Sequence, residues 1–325
     1  MTTLVTGGAG YIGSHTVYAL LDRGDTVVVL DNLSTGVRAQ VGAAAAFVQG
    51  DVADAVLVRK IVADHGVDCV IHFAGSIVVP DSVADPLGYY ENNVVKSRAL
   101  IAACVEGGVK HFLFSSTATV YAEDARQPLA ESERKAPISP YARSKLMTEW
   151  MLEDVSRATP LTHMALRYFN VAGADAKGRT GQSTPKATHL IKRAAQVALG
   201  RVPQLDIFGT DYPTPDGTGV RDYIHVTDLA NAHLLALDAL KDGAPSTTYN
   251  VGYGRGLSVR QVIEGVEKVT GERLPTRESP RRAGDPPTLI SDPARLKTEL
   301  GWVPAHEDLD EIIRSAIAWE RRFNT

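Results

Sequence analysis

The first half of the chain alternates short apolar runs rich in β-branched and aromatic residues with longer segments whose apolar residues recur at helical spacing. Gly and Pro boundaries and apolar periodicity predict helices over residues 12–23, 54–65, 85–107 and 140–157. This alternation is typical of βαβ units and predicts an α/β fold built on a doubly wound parallel sheet. The strand-like runs are Leu4-Val5, Val27-Val28-Val29-Leu30, Phe47-Val48, Cys69-Val70-Ile71 and Phe112-Leu113-Phe114.

The second half has a looser pattern of Gly- and Pro-rich loops, with helices predicted near residues 186–199, 226–240, 258–269 and 309–322. We therefore assign residues 1–170 to a Rossmann-type nucleotide domain, to which we expect some later segments to return. Residues 171–325 are assigned mainly to a smaller, mixed α/β substrate lobe. A chain of 325 residues with 44% hydrophobic content can bury cores of this size.

Composition narrows the function classes. A formal net charge of −4 and a pI near 6.1 argue against a nucleic-acid binder, because such proteins carry a basic excess. The two cysteines, Cys69 and Cys104, lie in apolar runs and are expected to be buried thiols. No run approaches the ~20 apolar residues of a membrane helix, and the start lacks a charged signal-peptide head. We therefore expect a cytoplasmic protein without a membrane partner. The nine histidines are scattered without close paired spacing, so we expect no metal site.

A glycine-rich turn, Gly7-Gly8-Ala9-Gly10-Tyr11-Ile12-Gly13, follows the first predicted strand and opens the first predicted helix. Glycines at such a turn let the backbone approach a pyrophosphate, which the free N–H groups and the positive end of the helix dipole then bind. The turn therefore predicts a dinucleotide site that includes Gly7, Gly10, Tyr11, Ile12 and Gly13.

Carboxylates end the next two strands. Asp31 is placed to accept hydrogen bonds from the adenosine ribose, and its charge would repel a 2′-phosphate, so NAD is favoured over NADP. Asp51-Val52 is expected to flank the adenine, although an ordinary turn explains it as well. Phe73-Ala74-Gly75 follows the fourth strand at the same sheet edge, where small residues admit a cofactor.

Tyr141 and Lys145 stand four residues apart at the start of the helix opened by Pro140, so both project from one face. A nearby ammonium favours the phenolate and makes tyrosine a usable base, although such a pair alone is more often a surface pair. Ser115-Ser116-Thr117 follows the fifth strand to the same edge, and its hydroxyls either move protons or cap loop backbone.

These segments together resemble the extended short-chain dehydrogenase/reductase superfamily and, within it, the UDP-glucose 4-epimerases over nearly the whole chain. The further segments that carry the resemblance are Asp31-Asn32, Ala118-Thr119-Val120-Tyr121, Arg167-Tyr168-Phe169-Asn170 and the run from Gly217 to Val226. The segment around the glycine turn, from Val5 to His15, is shared by the superfamily, whereas the last two of these further segments are more specific to the epimerases.

The resemblance implies that Tyr141 removes the proton of the sugar 4-hydroxyl while C4 passes a hydride to NAD, which gives a 4-keto sugar that turns over and is reduced on its other face. Thr117 would hydrogen-bond the 4-oxygen, and Lys145 would hold the nicotinamide ribose. Asn32, Asn93, Ser115 and Tyr168 are implied near the cofactor. The UDP part of the substrate is implied near Asn170, His189, Leu190, Phe208, Arg221, Arg282 and Asp285.

Two departures from the family pattern affect these expectations. Ile77 stands where some epimerases carry a lysine toward the cofactor phosphates, so charge neutralisation must come from elsewhere. Leu289 stands where members that exclude N-acetylated sugars tend to have a bulky aromatic residue, which leaves UDP-N-acetylhexosamines open as substrates.

Other functions remain open from the sequence. UDP-pentose epimerases leave no distinct mark, while dehydratases of the superfamily place Asp-Glu where this chain has Ala118-Thr119. A non-catalytic NAD sensor is disfavoured by the presence of Tyr141, Lys145 and Thr117. The resemblance also implies a homodimer formed through the helices near residues 85–107 and 140–157.

Overall fold

A computed structural model describes residues 1–184, 188–282 and 284–323 of the chain. Lys186, where the first helix of the second half was predicted to begin, lies outside the described residues. The strands are β1 (Thr2–Thr6), β2 (Thr26–Asp31), β3 (Ala46–Gln49), β4 (Val67–His72), β5 (His111–Thr117), β6 (Thr162–Tyr168), β7 (Asn170–Ala172), β8 (Leu205–Phe208), β9 (Val220–His225), β10 (Thr247–Val251), β11 (Gly256–Ser258), β12 (Thr276–Ser279) and β13 (Thr288–Leu289).

The helices of the structure include a counterpart for each predicted helix, together with helices over residues 79–84 and 294–300 that were not predicted. The helices are α1 (Tyr11–Arg23), α2 (Ala55–His65), α3 (Val79–Ala84), α4 (Pro86–Tyr90), α5 (Lys96–Glu106), α6 (Pro140–Ala158), α7 (Leu190–Ala198), α8 (Val226–Lys241), α9 (Val259–Thr270), α10 (Ala294–Leu300) and α11 (Leu309–Phe323). A π-helical turn, Glu91–Val95, joins α4 to α5, and short 3-10 turns cover Arg38–Gln40 and Ala118–Val120. The single helix predicted over residues 85–107 is therefore three helical pieces in series.

Seven parallel strands form the main sheet in the order β10-β6-β5-β4-β1-β2-β3. The predicted doubly wound sheet is confirmed. The direction of winding reverses between β1 and β4, and open α/β sheets bind ligands at the carboxyl ends of strands beside such a reversal. The glycine turn after β1 and Phe73-Ala74-Gly75 after β4 both lie at that point.

Helices cover both faces of the main sheet because successive strand residues face opposite layers. Leu4 packs with Val58 and Leu100 of α2 and α5, whereas Val5 packs in the cluster that contains Val17 of α1 and Leu229 of α8. Strands buried on both faces have near-continuous apolar runs, which explains the Val-rich run of β2.

The second lobe holds its own core between α7, α9 and α11, with Ile191, Val262 and Ile313 at its centre. A four-stranded sheet of β7, β9, β11 and β13 and a pair of β8 with β12 complete this lobe. After residue 170 the chain also returns to the main sheet, since β10 pairs with β6 and α8 packs on α1.

Candidate functional site

The glycine turn forms a tight cradle at the start of α1. Gly7 has a φ of +70°, and a Cβ there would lie 2.6 Å from the backbone nitrogen of Ala74. A Cβ on Gly13 would lie 2.3 Å from the carbonyl oxygen of Gly7. Gly10 caps α1 without a side chain, so the first N–H groups of the helix remain open to an anion. The cradle fits the pyrophosphate of a dinucleotide.

Asp31 supports this turn from the end of β2. Its Oδ2 accepts a hydrogen bond from the backbone N–H of Ala9 at 2.9 Å, and its Oδ1 accepts one from the N–H of Leu33 at 2.8 Å. Each carboxylate oxygen has a second lone pair, so the buried Asp31 can hold the turn and still accept from a ribose hydroxyl.

A cleft runs along the carboxyl ends of β1 to β5. Its volume of about 560 Å³ is large enough for a dinucleotide with part of a second ligand. The residues of the predicted cofactor and substrate sites that line it are Gly7, Gly10, Tyr11, Ile12, Gly13, Asp31, Asn32, Asp51, Val52, Phe73, Ala74, Gly75, Thr117, Tyr141, Tyr168, Asn170 and His189. The structure thus brings the glycine turn and Tyr141 into one continuous cleft.

The candidate catalytic side chains meet where β5 ends and α6 begins. Ser139 caps α6 by accepting a hydrogen bond from the N–H of Ala142, and this places Tyr141 in the first turn. Lys145, one turn further along, donates from Nζ to the carbonyl oxygen of Ser115 at 2.9 Å. Its Nζ also lies 4.9 Å from the ring centroid of Phe114. Lys145 is therefore anchored beneath the cleft.

Burial dominates the proton affinities here. It raises the pKa of Tyr141 well above its ordinary value, Tyr168 acts in the same direction, and the Thr117 hydroxyl partly opposes both. Burial also lowers the pKa of Lys145 to about 8, against the negative charge of Glu149. Burial of the Tyr141 phenol thus acts against the phenolate, so a positive charge must lie close to Tyr141 before the phenol can give up its proton at neutral pH.

Only one hydroxyl of Ser115-Ser116-Thr117 reaches the cleft. The Ser115 hydroxyl is hydrogen-bonded to the hydroxyl of Tyr168, and the Ser116 hydroxyl donates to Glu149 on the other face of β5. Thr117 lines the cleft at the strand end, and its Oγ1 lies 3.0 Å from Oγ1 of Thr119. Thr117 is thus the hydroxyl of this run that can meet a substrate oxygen beside Tyr141.

Asn93 lies behind the cleft wall. Its side chain accepts from the N–H of Ser76 at 2.7 Å and donates to the carbonyl oxygen of Ser76 and to Oγ of Ser144, both at 3.0 Å. The preceding residue, Asn92, lines the cleft. A π-helical turn holds one residue more than an α-helical turn, so in this segment the face toward the cleft is offset from ordinary helical spacing.

The predicted UDP residues of the second lobe form two contacts. The guanidinium carbon of Arg282 lies 3.7 Å from the ring centroid of Phe208, and Nη2 of Arg221 lies 3.5 Å from Oδ1 of Asp285. Leu190 begins α7, directly after the half-buried His189. Of the predicted substrate residues, Leu190, Phe208, Arg221, Arg282 and Asp285 lie outside the lining of the main cleft.

Several lining residues were not predicted, notably Asn92, Lys96, Thr119, Phe169 and Gln182. Phe169 stands inside the Arg167-Tyr168-Phe169-Asn170 segment and Asn92 stands beside Asn93, so both had a sequence signal. Gln182 and Lys96 had no sequence signal, because each reaches the cleft from a loop or helix whose position only packing decides.

In the described parts of the chain, no group of His, Cys, Asp or Glu could hold a metal ion, and no helix has the length and apolarity to cross a bilayer.

Comparison with known proteins agrees with this geometry. The model of the NAD dependent epimerase/dehydratase family matches residues 3–252. The chain belongs to this family. Among its relatives is the UDP-glucose 4-epimerase of Azospirillum brasilense, 55% identical over 318 residues that cover 98% of this chain and 91% of the relative.

Solved structures of the family share the whole fold. The UDP-glucose 4-epimerase of Brucella ovis in complex with NAD is 45% identical, with a TM-score of 0.94, and covers 98% of this chain and 97% of its own. The UDP-glucose 4-epimerase of Bifidobacterium longum in complex with NAD+ and UDP is 38% identical, with a TM-score of 0.94, and covers 99% of this chain and 98% of its own.

Proposed function

We propose that this chain is an NAD-dependent UDP-glucose 4-epimerase, which interconverts UDP-glucose and UDP-galactose through a transient 4-keto sugar. The observation that carries the proposal is that Tyr141 and Thr117 line the same cleft as the glycine turn. The full-length similarity to UDP-glucose 4-epimerases supports this pair of sugars and does not favour UDP-N-acetylhexosamines or UDP-pentoses as the main substrates.

The cofactor would lie along the cleft between the turn at Gly7 to Gly13 and Tyr141. The uncapped N–H groups of α1 and the close approach allowed at Gly7 suit a pyrophosphate. Asp31 suits the hydroxyls of an adenosine ribose and disfavours a 2′-phosphate. The relative from Brucella ovis carries NAD in a fold of the same family.

When bound, NAD supplies a positively charged ring that accepts a hydride from C4 of the sugar and returns it to the opposite face. A positive charge beside a buried phenol stabilises the phenolate, so Tyr141 can then take the proton of the 4-hydroxyl and later give it back. Thr117 would hydrogen-bond the 4-oxygen in both directions. Lys145, held on the Ser115 carbonyl, would contribute charge and hold the cofactor ribose.

The UDP group would bind mainly in residues 171–325, while residues 1–170 hold the cofactor. Arg221 and Arg282 supply planar guanidinium groups, whose paired donors match pyrophosphate oxygens. Burial lowers the pKa of Arg282, whereas its neighbour Arg281 is exposed and bound to Asp211 at 2.7 Å. Arg282 is thus the member of the pair that is turned away from solvent. Asn170, His189, Leu190, Phe208 and Asp285 complete the proposed site.

We further infer a homodimer formed by α4, α5 and α6. Apolar side chains on these helices and on the π-helical turn are unusually exposed for a monomer, with Leu87 at 77%, Trp150 at 53% and Val95 at 50%. A second copy of the chain would cover them and bury the apolar surface.

The catalytic proposal is tested by Tyr141→Phe, which removes the phenolic hydroxyl and keeps the ring. We expect conversion of UDP-glucose to UDP-galactose to fall by about 10²- to 10⁴-fold, the usual contribution of a proton-transfer group. Products are separated by anion-exchange chromatography, and the bound NAD of each protein is measured after denaturation. Tyr90→Phe, on α4 and outside the cleft lining, serves as the matched control.

Undiminished conversion by Tyr141→Phe would remove Tyr141 from the mechanism. A wild-type protein that binds NAD but converts no UDP-sugar would instead favour a sensor.

A further inference from the structure

The cleft that would hold the dinucleotide is lined by acidic rather than basic residues. Asp31, Asp51 and Asp81 line it, and Lys96 is the single lysine or arginine among the described lining residues. Ile77 also lines the cleft and adds no charge. Because a dinucleotide carries negative charge itself, the place where this one cation is held bears directly on how the cofactor is bound.

Lys96 is held at the end of β3. It is the first residue of α5, directly after the π-helical turn, and its Nζ lies 2.6 Å from Oδ2 of Asp51. The pair therefore joins the carboxyl end of β3 to a helix 45 residues further along the chain. Because both side chains are partly exposed, the ion pair alone contributes little to stability, and its role depends on what it orients.

The Asp51 carboxylate is fixed from three sides. Its Oδ1 accepts from the N–H of Ala53 at 2.9 Å, its Oδ2 accepts from Lys96, and the Asn32 side chain hydrogen-bonds it as well. Burial acts to raise its pKa, but these hydrogen bonds outweigh it and lower the pKa of Asp51 below its ordinary value. Asp51 is thus an oriented, ionised acceptor with lone pairs to spare.

This pair lies at the β3 end of the cleft, where the proposed NAD binding would put the adenosine. β3 is four strands away from β5, which is about 19 Å at ordinary strand spacing, so Lys96 does not act on the atoms near Thr117 and Tyr141. An oriented carboxylate at a base is suited to accept a hydrogen bond from an exocyclic amino group and to reject a carbonyl oxygen there.

We propose that Lys96 is a positioning residue that aims the Asp51 carboxylate at the 6-amino group of the cofactor's adenine and thereby gives the site its preference for an aminopurine dinucleotide. The proposal rests on the proposed NAD binding. It assigns Lys96 a part in cofactor retention through Asp51 rather than through the phosphates.

The experiment compares NAD with deamino-NAD, in which a carbonyl replaces the 6-amino group. Affinities are measured by isothermal titration calorimetry on protein stripped of its cofactor. Lys96→Met keeps the aliphatic stem and removes the charge, and Lys96→Arg keeps the charge. Lys110→Met is the matched control, since Lys110 pairs with Asp68 at 3.2 Å beside the opposite ends of the strands.

We expect the wild-type protein to bind NAD about tenfold more tightly than deamino-NAD, the value of one oriented hydrogen bond to a charged group. Lys96→Met is expected to weaken NAD about tenfold and deamino-NAD less than about threefold, so that the preference is lost. Lys96→Arg and Lys110→Met are expected to retain it.

A Lys96→Met protein that keeps the wild-type preference for NAD over deamino-NAD would overturn the role of Lys96. This holds also if its affinities for both dinucleotides fall by the same factor, because an equal fall indicates a general charge effect. Failure of the wild-type protein to bind either dinucleotide would instead overturn the proposed function on which this inference rests, and this inference with it.

Discussion

At the scale of single residues, burial decides the chemistry that Tyr141 and Lys145 can perform. Burial raises the pKa of Tyr141 and lowers that of Lys145 to about 8. In both groups burial therefore favours the uncharged form, the phenol and the free amine. A proton then leaves the phenol only when a compensating positive charge is close. This couples proton transfer to the presence of an oxidised cofactor.

The pKa of Lys145 predicts an alkaline limit to activity. A lysine whose pKa is lowered to about 8 loses its proton, and its positive charge, as the pH rises through that value. We therefore expect kcat/KM for UDP-glucose to be level below about pH 7 and to fall above about pH 8. Initial rates at constant ionic strength measure this profile. Lys145→Arg stays charged and is expected to lose the alkaline fall; a level wild-type profile to about pH 9.5 would contradict the assignment.

At the scale of elements, α6 is joined to the main sheet by a buried ion pair. Nη2 of Arg167 on β6 lies 2.6 Å from Oε2 of Glu149 on α6, and both side chains are almost fully buried. Arg167 also donates to the hydroxyl of Tyr121 at 2.9 Å, and Glu149 accepts from Ser116 on β5. One pair thus sets the position of the helix that carries Tyr141 relative to two strands.

Breaking this pair is expected to be costly. Arg167→Met leaves a buried carboxylate without its cation, and we expect the free energy of unfolding to fall by about 3–5 kcal/mol. Urea denaturation followed by circular dichroism measures it. Arg157→Met, which breaks the exposed Arg157–Glu153 pair on the same helix, is expected to cost less than about 1 kcal/mol.

The double variant Arg167→Met/Glu149→Met removes both charges and is expected to recover much of the loss. Equal destabilisation by Arg157→Met and Arg167→Met would show that the buried pair has no special weight.

At the scale of the whole molecule, five buried histidines and the half-buried His189 stay neutral in the folded protein near neutral pH. Burial lowers the pKa of His72 to about 3 and that of the other five to about 4; these are His15, His163, His189, His225 and His233. The unfolded chain protonates its histidines near pH 6.5, well before the folded protein does. Protons therefore favour the unfolded state across this interval.

Stability is expected to fall steeply as the pH drops from about 6.5 toward 4, by as much as about 3 kcal/mol for each such histidine. Urea unfolding at a series of pH values measures the slope, which gives the protons taken up on unfolding. His163→Gln is expected to reduce the uptake by about one proton, whereas His65→Gln, at an exposed position, is expected to leave it unchanged. A pH-independent stability over this interval would contradict the account.

The inferred homodimer is also a property of the whole molecule. Trp150→Glu places a charge within the proposed interface and is expected to shift the chain from dimer to monomer in sedimentation velocity, because a buried unpaired charge opposes association. Val303→Glu, at a position 83% exposed and outside these helices, is the control and is expected to stay dimeric. A wild-type chain that sediments as a monomer would contradict the dimer.

Much of the fold could be predicted from periodicity. The five strands from β1 to β5 and the helices α1, α2 and α6 were located to within a few residues, because their apolar runs are buried by the sheet they form. β6 and β10 were not named, although both belong to the main sheet. β10 lies between segments that read as a separate lobe, and only pairing with β6 places it.

The features of the candidate site also fall into those that the sequence predicts and those that only the tertiary structure decides. Gly7, Gly13, Tyr141 and Lys145 could be located from the sequence alone, because backbone approach and one-face helical spacing are local properties of a few consecutive residues. The tertiary structure decided that Asn92 rather than Asn93 lines the cleft, that burial raises the pKa of Tyr141, and that Lys96 meets Asp51. Each of these depends on burial or on contacts between distant segments, which no local pattern contains.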